Sequence, residues 1–471
     1  MTVTEALARF VVETKLEDFP PDVVKTGRDL LLDGMGAMVR GPDEPISRKI
    51  IAHVKEMGGA PRVGVPGARF KTSLTDALLL NGTTVHSIEH EAVGKHTASS
   101  PMSLIPAAFA VAEHYGLSGR SVLEGFVLGY EVQGKVGMGC PSSSSRGWTG
   151  ICFPLGVAAC ASKMMGLNVE QTRWALGMAT DLVGGALRHC GSMAHFIGMG
   201  GFPGRHGMTA ALLAKEGVTA DLDMIDGPGG FGEWLGGYDA EIIAGSLGKP
   251  YYVVSPGTAV KKYNCCFGMH RALDALWELI MEHDIRAEDV AKVRVDVSSY
   301  VTKLIRYPEP KTGEEAKFSF EHAFAVLLVE RPANQITSPK SFSDEGVVDP
   351  RYVAVRKLVE VAVTDQPGGR TLVGKAMPVT ITMKDGRTFQ RESPILKGSG
   401  DNPLTDQELA DVFREHCSGF MSREQTERAL HLLGRLETLP DTRELMQIVT
   451  YGREGVPDAT ARRSEPARAE A

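Results

Sequence analysis

The most constraining feature of the sequence is a series of helical segments that are apolar on more than one face. Ala, Gly, Leu and Met dominate these segments, which occupy residues 101–116, 120–138, 154–166, 169–187 and 207–216. A helix that is apolar on most sides must be buried by other helices. We therefore expect a multi-helix globule over about residues 4–245.

Near residue 285 the pattern changes from helical to strand-like. "VAKVRVDVSSYV" (290–301) alternates apolar and polar residues, as a half-buried strand does. "MPVTITMKDGRTFQRES" (377–393) contains two alternating runs joined by Asp385-Gly386, which is a strong hairpin signal. Helical runs at 319–330 and 350–364 lie between them, so the order of elements predicts a small α+β domain.

The length of 471 residues favours more than one domain, because it exceeds what a single hydrophobic core usually supports. Helical periodicity returns at 405–448, where helices would complete the first domain. We predict a mainly α protein with an α+β part, in which the smaller α+β domain is inserted before the C-terminal helices. The predicted boundaries are a large helical domain at 1–266, the α+β domain at 267–398, C-terminal helices at 399–450 and a disordered tail at 451–471.

Charge and motif content exclude several classes of function. The formal net charge is −7 and no basic cluster is present, which argues against nucleic acid as a partner. The N-terminus lacks the layout of a signal peptide, and the apolar stretches are shorter than the roughly 20 residues that span a bilayer. Seven cysteines without a C-x-x-C spacing suit a reducing compartment. We expect a soluble cytoplasmic protein without a membrane partner.

The densest group of ionisable residues is "NGTTVHSIEHEAVGKHTASSP" (81–101). Within it, residues 86–90 match the H-x-x-E-H pattern of a class of zinc peptidases, with His86 and His90 as ligands and Glu89 as base. Asn81-Gly82 and the segment after Gly94 indicate a loop instead of the required helix, and no third ligand is evident. The alternatives are solvated loop charges or a site of another kind, and we predict no metal.

A second group, "RHCGSMAHFIGMGGFPGRHG" (188–207), carries five glycines from Gly198 onward and precedes a good helix. The spacing is not that of a dinucleotide fingerprint. Exposed backbone N–H groups and a helix N-terminus would attract a carboxylate, as would His195, Arg205 and His206. A tight glycine turn with surface charges is the structural alternative.

A third group, "VKKYNCCFGMHRALDAL" (260–276), joins the two predicted domains. Ligand sites favour domain junctions, so Lys261, Lys262, Tyr263, Cys265 and His270 are candidates for a site. For Cys265 a role as a small buried apolar residue is the stronger alternative. Farther along, "EEAKFSFEHAFAVLLVE" (314–330) places Lys317 and His322 at the start of another apolar helix.

These stretches together resemble the MmgE/PrpD family of dehydratases, decarboxylases and epimerases. The resemblance is carried by "LLLDGMGAMVRG", "SLTDALLLNGTTVHSIEHE", "LSGRSVLEGFVLGYEVQGKVG", "PLGVAACASKMMGL", "GMTAALLAKEGVTADLDMIDGPGGFGE" and "VKKYNCCFGMHRALDA". It implies a homodimer in which the smaller α+β domain is a lid. It also implies a site between the domains that uses no cofactor and takes a small di- or tricarboxylate.

The match at individual positions is uneven. Glu89 stands where the family usually has aspartate, Trp148 appears in a motif that usually contains a histidine, and His322 stands where tyrosine is common. The family lysine before "GMTAALLA" has no counterpart. The place of a later histidine corresponds to Ser99 or Ser100, with His96 as the nearby candidate to replace it.

The chemistry common to the family begins with removal of a proton beside a carboxylate, which needs a base near neutral pKa and cations. We predict dehydration of a hydroxy acid, with epimerisation or decarboxylation as alternatives, and a non-catalytic carboxylate-binding relative as a further one. The favoured acid/base is His270. The other predicted catalytic residues are His86, Glu89, His96 and His322. The predicted substrate-binding residues are His90, Lys95, His195, Arg205, His206, Lys261, Lys262, Tyr263 and Cys265.

Overall fold

The structure is a computed structural model that describes residues 1–94, 100–140, 150–181, 189–364, 377–393 and 395–455. Within these ranges no helix is both long enough and apolar enough to cross a membrane. The chain is mainly helical with a small mixed sheet in its second half, as the sequence predicts. The predicted tail lies outside the described residues from 456 onward, and residues 451–454 are helical.

Helices are the main secondary structure of the described residues in the first half. Their bounds are Val3–Glu13, Pro21–Arg40, Pro45–Met57, Leu74–Ser87, Leu104–Tyr115, Gly119–Gly139, Phe153–Met165, Val169–Thr180, Met193–Phe196, Phe202–Lys215 and Phe231–Trp234. Two short strands, Val63–Val65 and Phe70–Thr72, pair antiparallel. The prediction that the segments apolar on more than one face are helices is therefore confirmed for their described residues.

Small residues allow these helices to pack closely. A Cβ added at Gly129 would lie 2.5 Å from the Gly156 carbonyl oxygen, so the helices that carry these glycines meet backbone to backbone. Three C-terminal helices, Asp406–Cys417, Arg423–Leu433 and Arg443–Tyr451, join the same core, to which Phe413 and Val449 contribute. One buried core therefore draws on both ends of the chain.

The expectation of a glycine loop at 188–207 is wrong for the part of that segment that is described. Met193–Phe196 is helical, Ile197–Gly201 forms a π-helical turn, and Phe202–Lys215 continues as α-helix. The reason is a close helix crossing: a Cβ at Gly200 would lie 1.8 Å from the Gly82 carbonyl oxygen, and one at Gly82 would lie 2.3 Å from the Gly200 oxygen. These glycines serve helix packing, and no separate anion-binding loop forms there.

This crossing gives a stability prediction. Gly200→Ala is expected to lower the free energy of unfolding by about 3 kcal/mol or more, because the methyl group would overlap a backbone oxygen that cannot move aside. Gly198→Ala is the matched control, since nothing lies within 4 Å of its added Cβ. The control should be neutral or stabilising by up to about 1 kcal/mol. Urea unfolding measures both, and equal midpoints for the two variants would contradict the described crossing.

A four-stranded mixed sheet forms in the second half. The strands, in spatial order, are Val359–Val363, Val290–Val297, Val379–Met383 and Thr388–Arg391. The first pair is parallel and the other two pairs are antiparallel. The described α-helices between residues 263 and 383 are His270–Glu282, Gly313–Ala316, Phe320–Glu330, Asp344–Val348 and Pro350–Arg356.

The helix expected over 350–364 is only half correct. The helix ends at Arg356, and Val359–Val363 is the outer parallel strand of the sheet. The sequence "VEVAV" alternates as a strand does, and pairing with Val290–Val297 satisfies its backbone, so sheet formation outweighs continuation of the helix.

Two main hydrophobic cores divide the buried residues. One draws on residues 3–253 and 413–449, and the other on residues 263–383 together with Cys190. The division of the chain into domains at residues 266, 398 and 450 stays a prediction. A short antiparallel strand pair joins two distant parts of the chain. Val93–Gly94, which follows His86 and His90, pairs with Thr258–Ala259, which precedes the second-core residues from Tyr263 onward.

Candidate active site

The first functional segment begins as a helix and ends in a sharp turn. Helix Leu74–Ser87 runs through Asn81-Gly82, so the loop expected there is wrong for residues 81–87. The Asn81 amide is buried and donates to the Gly64 carbonyl oxygen at 3.1 Å, which gives the polar side chain a partner inside the protein. After the helix, Glu89 adopts a left-handed conformation with φ 51°, which turns the chain back on itself.

Strand pairing brings a lysine to this turn. Gly94 pairs with Thr258 and Val93 with Ala259, so Lys261 follows two residues after the paired strand. The Lys261 ammonium donates to Glu89 Oε2 at 2.5 Å and to Glu91 Oε1 at 3.2 Å. One short sheet therefore joins a cation from the middle of the chain to two carboxylates from its first quarter.

Two histidines complete this group, which we call the junction cluster: His86, Glu89, Glu91, His195 and Lys261. His86 Nδ1–H donates to Glu91 Oε1 at 2.9 Å. His86 Nε2 lies 3.1 Å from His195 Nε2, and Glu89 Oε1 lies 3.7 Å and 3.5 Å from these two nitrogens. Each of the five residues is at most 4% exposed.

Burial and mutual attraction set the charges within the junction cluster. Burial raises the pKa of Glu89, but the nearby Lys261 and His86 outweigh it, so that pKa lies well below its usual value. Burial also opposes charge on Lys261, but the two carboxylates outweigh it and raise the pKa of the ammonium. Burial lowers the pKa of His195, which favours a neutral imidazole at neutral pH.

Aromatic rings and a thiol border the two imidazoles. The ring of Phe196 lies 5.3 Å from the His86 ring, and Phe318 lies 5.2 Å from the His195 ring. Cys190 Sγ is 3.8 Å from His195 Nδ1. Because these neighbours are apolar or weakly polar, electrostatic interactions inside the cluster are screened little by water.

Side chains outside the junction cluster hold its segment in place. Lys317 Nζ donates to the Ser87 carbonyl oxygen at 2.7 Å and to Glu44 Oε2 at 2.7 Å, and it is 2% exposed. Asp33 Oδ2 accepts from the Ala92 backbone N–H at 2.9 Å, and burial raises the pKa of Asp33 to about 8.

Sequence reasoning missed the roles of Glu91, Lys317 and Asp33, although each had a detectable signal. Glu91 is the second carboxylate of the histidine-rich stretch, Asp33 interrupts an apolar helical run, and Lys317 stands just before another one. A charge inside such a run indicates either exposure or a buried partner, and only the structure distinguishes the two.

Lys262 and Tyr263 belong to a separate buried network. Lys262 Nζ donates to Asp274 Oδ1 at 2.6 Å, and the Tyr263 hydroxyl donates to the same oxygen at 2.8 Å. Burial lowers the pKa of Lys262, and burial together with Asp274 raises the pKa of Tyr263 well above its usual value. The structure therefore brings Lys261 to the junction cluster and directs its neighbour elsewhere.

His270 is fully buried at the start of helix His270–Glu282. Its Nε2–H donates to the Cys265 carbonyl oxygen at 3.2 Å, and its Nδ1 has no hydrogen-bond partner among the described residues. Burial, with Lys261 as a second cause, lowers its pKa well below the usual value. The Cys265 thiol is buried with a raised pKa, which fits the alternative of a small core residue.

His90 packs against His416 and not in the junction cluster, although it is only four residues from His86 in the chain. Its ring meets that of His416 edge to face at 4.8 Å, and burial lowers its pKa to about 4. Neither ring nitrogen has a partner among the described residues. The pairing of His86 with His90 as zinc ligands is therefore wrong, and His195 occupies the place beside His86.

The remaining predicted residues are not in the junction cluster. His322 Nε2–H donates to the Ser341 carbonyl oxygen at 2.7 Å within the second core, and burial lowers its pKa to about 4. Arg205 is 42% exposed and lies 3.5 Å from Asp76, while His206 stacks on the half-exposed ring of Phe202. Lys95 and His96 lie outside the described residues.

Comparison with known proteins covers nearly the whole chain. Residues 5–242 match the model of the MmgE/PrpD N-terminal domain, and residues 263–437 match that of the MmgE/PrpD C-terminal domain. A cis-aconitate decarboxylase of Mus musculus is 24% identical over 467 residues, which are 95% of this chain and 93% of the relative. A cis-aconitate decarboxylase-like protein oryM of Aspergillus oryzae is 27% identical over 486 residues, covering 95% and 97%. A cis-aconitate decarboxylase of Homo sapiens is 24% identical, covering 93% of both chains.

Proposed function

The chain belongs to the MmgE/PrpD family, and from that premise we propose that it is a lyase acting on a small di- or tricarboxylate through a carbanion beside a carboxylate. The observation that carries the proposal is the junction cluster, where two imidazoles, two carboxylates and an ammonium from distant parts of the chain are buried together. Buried ionisable groups with strongly shifted pKa values are typical of catalytic sites.

Decarboxylation is the reaction we propose first. Relatives named cis-aconitate decarboxylases align over more than nine-tenths of this chain. This similarity favours an unsaturated tricarboxylate as substrate, and it is why we place decarboxylation ahead of dehydration. In this reaction the bond to a carboxyl carbon breaks, CO₂ leaves, and the electron pair remains on the carbon. That carbon then takes a proton from an acid, and cations stabilise the developing negative charge.

His270 is the residue we propose for this proton transfer. Because Nε2–H is committed to the Cys265 carbonyl oxygen, a neutral His270 imidazole has a bare Nδ1 that can take and return a proton. Its lowered pKa leaves it neutral before substrate binds. A substrate carboxylate placed beside it would favour the charged form, so proton uptake would accompany binding.

Lys261 is the proposed source of fixed positive charge. An ammonium has three N–H donors, and Glu89 and Glu91 use two of them. The third N–H has no partner among the described residues and is suited to a substrate carboxylate. The homodimer and the lid stay predictions from the family resemblance, and sedimentation would test the former.

NMR of reactions in deuterated water tests the proposed function. Purified protein is incubated with cis-aconitate, with citrate and 2-methylcitrate as hydroxy acids, and with saturated tricarballylate as a control acid. We expect loss of CO₂ from cis-aconitate and one deuterium in the product, because the carbanion takes its proton from a group that exchanges with solvent. His270→Gln protein, which is expected to keep the fold, serves as the matched protein control and should form product far more slowly.

Other outcomes of this panel have defined meanings. Unsaturated acids formed from the hydroxy acids would make dehydration the reaction, and deuterium uptake into unchanged acid would indicate epimerisation or proton abstraction alone. No reaction and no deuterium uptake with any acid would favour the non-catalytic carboxylate-binding relative and overturn the proposed lyase.

A further inference from the structure

A single line of hydrogen bonds runs through the junction cluster and ends on a cysteine outside it. Glu91 Oε1 lies 2.9 Å from His86 Nδ1, and His86 Nε2 lies 3.1 Å from His195 Nε2. His195 Nδ1 in turn lies 3.8 Å from Cys190 Sγ. Each of these residues is at most 4% exposed. We call this line the imidazole relay: Glu91, His86, His195 and Cys190.

The carboxylate at one end of the imidazole relay determines where each proton lies. Glu91 is ionised beside Lys261 and can only accept, so a neutral His86 carries its proton on Nδ1 and presents a bare Nε2. His195 then donates from Nε2–H, which leaves its own Nδ1 bare. A bare Nδ1 accepts the thiol S–H of Cys190. With both imidazoles neutral, this arrangement gives every hydrogen bond one donor and one acceptor.

We propose that His195 is a second acid/base residue of the site, that a substrate proton enters and leaves at its Nδ1, and that Cys190 is the positioning residue that keeps this nitrogen bare. The inference rests on the proposed function. When Nδ1 takes a proton, the electron pair of the broken C–H bond stays on the substrate carbon. The Nε2–H bond of His195 then breaks as a new N–H bond forms on His86 Nε2. The reverse shift returns a proton to a carbanion.

Two carboxylates stabilise the positive charge that this shift places on His86. Glu91 Oε1 already accepts from His86 Nδ1–H, and Glu89 Oε1 lies 3.7 Å from His86 Nε2. Hydrogen bonds with a charged partner are roughly twice as strong as neutral ones. His195 has only the Glu89 oxygen, at 3.5 Å, and burial lowers its pKa. The charge is therefore more stable on His86 than on the residue that would meet the substrate.

The helix crossing and a π-helical turn direct His195 toward His86. Gly82 lies one helical turn before His86, on the face that meets Gly200. The π-helical turn Ile197–Gly201 follows His195 and contains Gly200. One extra residue in a turn rotates the preceding residues by about 100° around the helix axis. The π-helical turn therefore determines which way His195 faces, and such turns are frequent at functional sites.

Cys190 is held in place by residues near position 306. Its carbonyl oxygen accepts from the Tyr307 hydroxyl at 3.0 Å and from Arg306 Nη2 at 2.9 Å. The Tyr307 ring also packs against Gly191, where an added Cβ would lie 2.3 Å from it. Burial raises the pKa of the Cys190 thiol, so the sulfur keeps its proton and remains a donor. These features suit a positioning residue and not a nucleophile.

The competing explanation is a relay in which every proton points the other way. His86 would then be a resting imidazolium that donates from Nε2–H, and His195 would carry its proton on Nδ1 and donate to Cys190 Sγ. In that arrangement His195 Nδ1 could not accept a substrate proton. The two arrangements place the His195 proton on different nitrogens, and NMR distinguishes these tautomers.

Nitrogen-15 NMR of the full-length protein without substrate tests the imidazole relay. Protein with nitrogen-15-labelled histidine is recorded at neutral pH, and His86→Gln and His195→Gln assign the two rings. We expect neutral rings of opposite tautomer, with Nδ1–H on His86 and Nε2–H on His195. A proton on His195 Nδ1, or the same tautomer in both rings, would overturn the proposal. If a variant does not fold, contacts between ring protons and Phe318, 5.2 Å from the His195 ring, assign the wild-type spectrum.

Two cysteine variants test the positioning role in the same spectra. Cys190→Ala should move the His195 Nδ1 resonance toward that of a nitrogen without a hydrogen bond, and Cys190→Ser should leave it near the wild-type position because a hydroxyl also donates. Cys160→Ala is the matched control, since this buried thiol contacts Met164 Sδ. An unchanged resonance in Cys190→Ala would remove Cys190 from the relay.

Kinetics with an acid that the wild-type protein transforms test the catalytic role. His195→Gln should lower kcat about 10²–10⁴-fold with little change in KM, because glutamine has no basic nitrogen to replace Nδ1. Cys190→Ala should lower kcat about 5–10-fold, the worth of one neutral hydrogen bond. Cys190→Ser and Cys160→Ala should stay near the wild-type value.

The two proposals fail in different ways. Wild-type turnover with an unchanged kcat in His195→Gln would overturn the catalytic role of His195 and leave the lyase in place. Transformation of no acid by the wild-type protein would overturn the lyase and this role together. The tautomers would in that case still decide whether the imidazole relay exists, because their measurement needs no substrate.

Discussion

Replacing Lys261 with methionine is expected to lower the free energy of unfolding by about 3–5 kcal/mol, because the change leaves buried carboxylates without their cation. Lys261 is 1% exposed and donates to both Glu89 and Glu91, so neither carboxylate can turn to water when the ammonium is removed. The same change should abolish turnover under the proposed function, since it removes the fixed positive charge of the junction cluster.

Urea unfolding measures this effect. The double variant Lys261→Met/Glu89→Gln should recover part of the lost stability, because one uncompensated charge is removed together with its partner. Lys25→Met is the matched control: Lys25 also contacts two carboxylates, but its side chain is 50% exposed, so the change should cost at most about 1 kcal/mol. Equal midpoints for Lys261→Met and Lys25→Met would show that the buried pairing described here does not stabilise the protein.

Replacing His270 with glutamine is expected to lower kcat about 10²–10⁴-fold while the fold is retained. A glutamine side chain can present an N–H toward the Cys265 carbonyl oxygen that His270 Nε2–H now serves. It has no basic nitrogen to replace Nδ1, so the change removes proton transfer and leaves the main structural hydrogen bond available. The measurement is the rate of product formation by NMR, together with the urea midpoint.

His322→Gln is the matched control for this prediction. Both histidines are fully buried, both donate from Nε2 to a backbone carbonyl oxygen, and both have an Nδ1 without a partner among the described residues. His322 lies within the second core, beside Phe342 and Tyr352. Its replacement should leave turnover near the wild-type value. Similar losses in both variants, or none in His270→Gln, would remove His270 from the proposed mechanism.

Local periodicity identified most of the secondary structure and failed at identifiable places. Helices whose apolar residues recur at helical spacing, such as Gly119–Gly139, lie close to where the pattern predicts them. The predictions of loops at Asn81-Gly82 and at Gly200 are wrong for the same reason. Glycine weakens an isolated helix, but it allows two packed helices to approach each other closely. That contact lies between residues more than a hundred positions apart and leaves no local signal.

For the candidate site, the sequence supplied the residue types and the structure supplied the pairings. His86, Glu89, His195 and Lys261 were all identified as candidates, but nothing in their spacing distinguishes Lys261 from Lys262 or His195 from His90. The distinction arises because Lys261 follows the strand that pairs with Val93–Gly94, while Lys262 turns to Asp274.

The helical class, the position of the small sheet and the family can be inferred from the amino-acid sequence, because these depend on short-range periodicity and on motifs in a fixed order along the chain. The three-dimensional fold is needed to show which ionisable groups share one buried volume and which have their partners elsewhere. The physical reason is that the energy of a buried charge depends on the few atoms within hydrogen-bonding distance of it, and for Lys261 those atoms belong to residues about 170 positions away in the chain.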